Sequence, residues 1–158
     1  MKKLIPLLFC LLTAPLLAQS INTRDFASWS LLCGEHGNCS LSQMVSKDPA
    51  GKHIVLGVNV AFSVSSEFPV LQLRFPANAM EQAGFGIKVG DEKPFQLPFS
   101  QCTDSACQAV IKMDEQLINS MKNNSRMIVV YADAKQQQKT LPVSLSGFSK
   151  GFSALSAP

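Results

Sequence analysis

Apolar and polar side chains alternate along much of the chain, at the spacing that half-buried β-strands require. The longest such run is Ile54–Phe62, where every second residue is apolar and Gly57 and Asn59 interrupt the other face. Eight or nine short strands with closely spaced turns indicate an antiparallel β-sandwich. The remaining segments predicted as strands are 29–33, 39–45, 70–75, 85–89, 95–99, 109–113, 127–131 and 141–145.

One segment departs from this alternation and is predicted as a short helix. Asp114 suits its N-cap, and Glu115 favours the positive end of the helix dipole. Leu117 and Met121 share one face of the helix, and the Asn123–Asn124 pair is a stop signal.

The N-terminus has the pattern of a secretory signal peptide. Basic residues 2–3 precede an apolar stretch, 4–17, which is too short to span a bilayer, and small Ala18 follows it. We expect cleavage after Ala18, so that residues 1–18 are the signal peptide and residues 19–158 form a single exported domain.

The nearly neutral charge of the expected mature chain argues against strongly anionic partners. Removing Lys2 and Lys3 from the 14 basic side chains leaves 12, against 11 acidic ones, in the expected mature chain. A nearly neutral protein with no basic cluster lacks the electrostatic footprint of nucleic-acid or anionic-bilayer binding. No second apolar span occurs in the sequence, so we expect no transmembrane segment after the signal peptide is removed.

The expected mature chain keeps four cysteines, and an even number in an oxidising compartment predicts disulfides. Four cysteines allow three pairings. Cys33 and Cys39 flank a Gly- and Asn-containing turn between two predicted strands, where opposed residues are close enough to be bridged. Cys102 and Cys107 flank a second tight turn, so local pairing is the simplest arrangement.

The strongest candidate for chemistry is the group Cys33, His36 and Cys39. Zinc binds thiolates and imidazole, but it normally requires a fourth donor and a shorter cysteine spacing. A thioredoxin-type redox pair requires closer thiols at a helix N-terminus. We therefore favour a structural disulfide without metal or cofactor, and keep metal- or thiol-dependent activity as an alternative.

The sequence shows no other catalytic set. His36 and His53 are the only imidazole bases, and no serine lies in a G-x-S-x-G motif. The carboxylate pairs 91–92 and 114–115 are expected to be solvated, and Trp29 is expected in the core. We expect a protein that is not an enzyme.

Several ordered motifs resemble the invasion-associated locus B family. The resemblance runs from about residue 29 to 155, and its closing segment is the most specific part. It implies an exported bacterial protein with an immunoglobulin-like β-sandwich, and the founding members of the family are linked to host-cell entry. No established catalytic residues carry over. The motifs are Trp29-x-x-x-Cys33, Cys39, Pro69–Pro76, Pro98-Phe-x-x-Cys102, Cys107-Gln-Ala109 and Leu141–Phe148.

Together these features predict an all-β, immunoglobulin-like antiparallel sandwich with one short helix and two local disulfides. The expected role is a non-catalytic binding or accessory protein of the cell envelope, periplasmic or secreted, that acts on a protein or envelope partner. A purely structural envelope component is the third hypothesis.

Overall fold

The structure, a computed structural model, describes residues 22–34, 37–48, 50–62 and 68–155. The expected signal peptide, residues 1–18, and His36 lie outside these ranges. No helix within the described ranges is long and apolar enough to cross a membrane.

Strands dominate the described chain, which also contains two α-helices and one 3-10 turn, Glu81–Ala83. The strands are β1 (Asn22–Phe26), β2 (Trp29–Cys33), β3 (Cys39–Ser46), β4 (Ile54–Phe62), β5 (Pro69–Pro76), β6 (Phe85–Val89), β7 (Phe95–Leu97), β8 (Gln101–Cys102), β9 (Ala106–Lys112), β10 (Arg126–Ala132) and β11 (Gln138–Ser144). The helices are α1 (Glu115–Asn123) and α2 (Phe148–Ala154).

The strands form two sheets, and every neighbouring pair of strands is antiparallel. The larger sheet has seven strands in the order β1-β2-β3-β4-β5-β9-β8, and the smaller has four in the order β11-β10-β6-β7. Inward side chains of both sheets, such as Leu73 and Val129, belong to one buried cluster. The predicted all-β sandwich is confirmed.

Alternation correctly identifies the buried face of most strands, but it fails at the start of β4. Ile54 is 48% exposed, whereas Val55 and Leu56 are buried. The cause is a register shift in the pairing with β3, where Val45 faces Leu56 and the next residue, Ser46, faces Ile54. Such a bulge rotates the side chains that follow it.

The first helix agrees with its prediction. The Asp114 carboxylate accepts a hydrogen bond from the Leu117 N–H at 2.8 Å, and α1 ends at Asn123. The prediction of only one helix is wrong, because α2 was not recognised. That helix is seven residues long with an internal glycine, Gly151, and it is held by packing of Phe148 edge-on against Trp29, 5.1 Å between ring centroids.

Two side chains of the larger sheet bind the backbone of the smaller one. The Ser144 carbonyl of β11 accepts hydrogen bonds from Trp29 Nε1 at 2.9 Å and from Gln43 Nε2 at 3.0 Å. The Ser144 N–H donates to Gln43 Oε1 at 3.2 Å. We call these contacts the Gln43–Ser144 seam. It joins the sheets next to two further hydrogen bonds, from the Ser28 hydroxyl to Ser144 Oγ at 3.0 Å and from the Ser28 N–H to the Ser146 carbonyl at 3.2 Å.

Both local disulfides predicted from cysteine spacing are present. Cys33 is bonded to Cys39, and Cys102 is bonded to Cys107. In each case the two residues lie directly opposite one another in adjacent antiparallel strands. The bonds therefore close the β2–β3 and β8–β9 hairpins next to their turns.

Candidate functional site

The structure joins two members of the strongest candidate group. The sulfur atoms of Cys33 and Cys39 are bonded to each other, so neither is a thiolate available to bind metal or to attack a substrate. Within the described ranges, no three His, Cys, Asp or Glu side chains cluster as metal ligands would. Position 36 lies outside those ranges, so the structure assigns no geometry to its imidazole.

His53, the other histidine, belongs to the loop between β3 and β4. Its Nδ1 lies 3.0 Å from the Asp48 carboxylate, which also accepts hydrogen bonds from the Lys52 and His53 N–H groups and from the Ser46 hydroxyl. The Lys52 N–H makes the largest contribution to lowering the pKa of Asp48 below its usual value, and the contacts of His53 and Ser46 add to it. These contacts order the loop.

The adjacent carboxylates have structural partners. Asp114 caps α1, and Glu92 accepts a hydrogen bond from the Ser120 hydroxyl. Both residues are solvent-exposed, in agreement with the prediction for these pairs. Trp29 is 1% exposed, which confirms its predicted place in the core.

A buried carboxylate that sequence reasoning missed lies at the turn between β10 and β11. The N–H groups of Gln137 and Lys135 each donate to Asp133 Oδ1 at 2.9 Å, and Lys139 Nζ lies 3.1 Å from Oδ2. The Gln137 hydrogen bond is the largest cause of a lowered pKa for Asp133. An aspartate directly after a strand and before a polar turn is the available signal, because its side chain bonds the backbone of such turns.

The outer face of the seven-stranded sheet carries the most prominent surface cluster. Leu32, Met44 and Val110 are 37%, 65% and 52% exposed, although each belongs to a strand of that sheet. They line one groove with a volume of about 480 Å³. We call this surface the outer-face groove. Isolated exposed apolar residues are ordinary, whereas several around one groove mark a candidate binding surface.

Glycine and one arginine shape the outer-face groove. A Cβ at Gly57 would lie 3.5 Å from Arg74 Cβ and 3.7 Å from Met44 Sδ, so the glycine leaves room between these two side chains. Among the residues that the structure describes, Arg74 forms no salt bridge. Nearby, Asn59 Nδ2 donates to Gln72 Oε1 at 3.2 Å. The groove thus combines apolar edges with amide groups and one unneutralised cation.

Comparison with known protein families gives a clear assignment. The family described as invasion associated locus B (IalB) protein matches residues 29–156. The chain belongs to the IalB family. A search of curated proteins finds no significant match.

A solved structure of the family has the same fold. The crystal structure of invasion associated protein B from Bartonella henselae is similar with a TM-score of 0.73 and 18% sequence identity. The similarity covers 84% of this chain and 94% of the Bartonella chain. The IalB match includes both disulfides and the outer-face groove, while β1 precedes it.

Proposed function

We propose that this IalB protein is an exported, non-catalytic binding or accessory protein of the bacterial cell envelope, periplasmic or secreted. The signal-like residues 1–18 support export, with residues 19–158 as the mature domain. The two disulfides support an oxidising compartment.

The observation that carries a binding role is the outer-face groove. Exposing Met44 and Val110 to water around one groove adds no stability to the fold. Contact with a partner is therefore the better explanation for these apolar side chains. The guanidinium of Arg74, which forms no salt bridge with any residue that the structure describes, favours a partner that carries a carboxylate there. A sheet whose β2–β3 and β8–β9 hairpins are each closed by a disulfide presents such a face with little conformational cost on binding.

A non-catalytic role is supported by how the candidate reactive groups are used. The sulfurs of Cys33 and Cys39 close a hairpin, Asp133 organises a turn, and His53 orders a loop. Host-cell interaction is the specific role that the family description suggests, and it places the partner on another cell instead of in the envelope.

Photo-crosslinking in the native bacterium tests the proposal. A photoreactive residue replaces Met44 in the groove, or Thr140 on the exposed edge of the smaller sheet as a matched control. We expect a discrete, saturable adduct from position 44 but not 140, weakened by Arg74→Glu. Adducts found only with host cells present would locate the partner there.

Equal, non-saturable labelling from both positions would contradict the binding proposal. That result, together with a high cellular abundance of the protein, would favour a purely structural envelope component. A metal- or thiol-dependent activity would instead be revealed by free thiols or bound metal at Cys33, His36 and Cys39 in the exported protein.

A further inference from the structure

The contacts of β9 show towards which side the backbone N–H and C=O groups of each of its residues point. The Met113 N–H, directly after the strand, donates to the Pro69 carbonyl at 2.9 Å, and Lys112 faces Val70 in the same register. Backbone N–H and C=O groups of one residue point to the same side of an antiparallel strand, and the side alternates with each residue. The odd-numbered residues of β9 therefore bond β5, and the even-numbered ones point away from it.

Only half of the side of β9 that points away from β5 is covered by another strand. Strand β8 pairs with β9 through Gln101 and Cys102 alone. Beyond that pairing, the Gln108 carbonyl accepts the Ser100 N–H at 2.8 Å, and the Val110 N–H donates to Ser100 Oγ at 3.0 Å. No strand in the described ranges pairs with the next groups, which are the Val110 carbonyl and both the N–H and the carbonyl of Lys112.

A cleft lined by both apolar and charged side chains lies beside these unpaired groups. It has a volume of about 570 Å³ and runs between the end of β9 and the edge strand β7 of the other sheet. Phe95, Leu97, Ile111 and Leu117 line it, and all four are partly exposed. A strand placed next to Lys112 would direct every second side chain into this cleft, because side chains alternate between the two faces of a sheet.

Two acidic and two basic side chains line the cleft, and three of the four already have contacts within the protein. Glu92 accepts a hydrogen bond from Ser120, Asp114 caps α1, and Lys112 Nζ lies 4.0 Å from the centre of the Phe68 ring. Lys93 also lines the cleft and, within the part of the chain that the structure describes, has no salt-bridge partner. A partner with a carboxylate near Lys93 would complete this arrangement.

The two edge strands of the smaller sheet carry residues that hinder pairing, whereas the edge strand β1 of the larger sheet contains no proline. Pro94 and Pro98 flank β7, and Pro142 lies within edge strand β11. Proline has no N–H to donate and is a common means of blocking an edge. The open half of β9, residues 109–112, contains no proline.

We propose that the open half of β9 receives an added β-strand from a partner, an extended polypeptide segment with apolar residues on its inward face and an acidic residue near Lys93. The three unpaired backbone groups match another extended backbone, and the cleft takes the inward side chains. This site goes beyond the proposed use of the outer-face groove and does not depend on it.

A purified peptide tests the inference directly. The probe is a fluorescein-labelled hexapeptide in which valine alternates with threonine after an N-terminal glutamate. Its control is methylated on alternate amide nitrogens, which removes the donors that would face β9. We expect saturable binding of the probe, at least tenfold weaker binding of the methylated peptide, and slower hydrogen exchange of the Lys112 amide in the complex, measured by NMR.

Two proline variants refine the test. Lys112→Pro removes an N–H that points away from β5, and we expect it to weaken probe binding about two- to twelvefold, the range for one hydrogen bond. Lys112→Thr keeps the N–H and reports the effect of the ammonium. Thr140→Pro is the matched edge control, because Pro142 and the outward Ser144 N–H on β11 show that Thr140 shares their direction.

Specific outcomes would overturn the inference. These are no saturation at millimolar probe, equal affinity for the methylated peptide, equal affinity of Lys112→Pro and Thr140→Pro, or Lys112 amide exchange that is already slow in the free protein. Chemical-shift changes confined to Met44 and Leu32 would also overturn it, while leaving the outer-face groove as a binding surface. Failure of this peptide has no bearing on crosslinking from position 44.

Discussion

Removing the Gln43 side chain should weaken the contact between the two sheets and lower the free energy of unfolding by a measurable amount. Its amide makes three hydrogen bonds to backbone, two donated to the Ser28 and Ser144 carbonyls and one accepted from the Ser144 N–H. At about 1 kcal/mol each, their loss has a limit of about 3 kcal/mol. Water reaches this half-buried position, so we expect Gln43→Ala to lower the free energy of unfolding by about 2 kcal/mol.

Urea unfolding of the oxidised protein, followed by tryptophan fluorescence, measures this change. With an m-value of about 2 kcal/mol/M, the midpoint should fall by about 1 M. Gln72→Ala is the matched control, because the Gln72 side chain is exposed and its one hydrogen bond within the described ranges is accepted from Asn59. We expect it to cost less than about 0.5 kcal/mol. Equal midpoints for Gln43→Ala and wild type would refute the structural role of the seam.

Gln43→Glu separates hydrogen bonding from packing. A carboxylate at this position faces two carbonyl oxygens without a proton to donate, which raises the folded-state pKa of the introduced acid. A raised pKa means that the variant is most stable below about pH 4, where the acid is protonated in both states, and that this stability is lost as pH rises through the folded pKa. The midpoint difference from wild type should therefore widen between about pH 4 and pH 7. A constant difference would contradict this explanation.

Three further variants test the turns. The double variant Cys33→Ser with Cys39→Ser removes the disulfide between residues six apart in sequence. It should lower the free energy of unfolding in urea by roughly 2 kcal/mol, and no loss would contradict a structural role for the bond. Gly147→Ala should cost more than about 2 kcal/mol, because its φ is +87° and a Cβ would overlap the Phe26 carbonyl; a wild-type midpoint would argue against this geometry. Asp133 has a lowered pKa, so its contribution to stability is present above about pH 4 and lost as pH falls through the folded pKa. Asp133→Asn should flatten that acid-side loss, and an unchanged pH profile would count against it.

Sequence patterning succeeded where one face of an element is buried and the other is wet. In β5, Leu71 and Leu73 are buried while Gln72 and Arg74 are exposed, as their alternation predicts. The local disulfides were predictable for a related reason, since cysteines on either side of a short turn are brought together by the hairpin itself.

The failures have physical causes outside the local sequence. Strand β1 has an almost entirely exposed, polar composition and exists by pairing with β2, while α2 depends on the packing of Phe148 against Trp29. The bulge that exposes Ile54 is a property of strand pairing. The outer-face groove brings together strands that are distant in sequence, so no single segment predicts it.

Intact mass spectrometry of the protein isolated from its native cells tests the central claim, that the cysteines of the scaffold are held in structural bonds and leave no reactive centre. The account predicts a chain that begins at Gln19, lacks four hydrogens relative to its fully reduced form, carries no metal under native ionisation and is not alkylated without a reductant. A free thiol at Cys33 or Cys39, or a metal bound there, would contradict it.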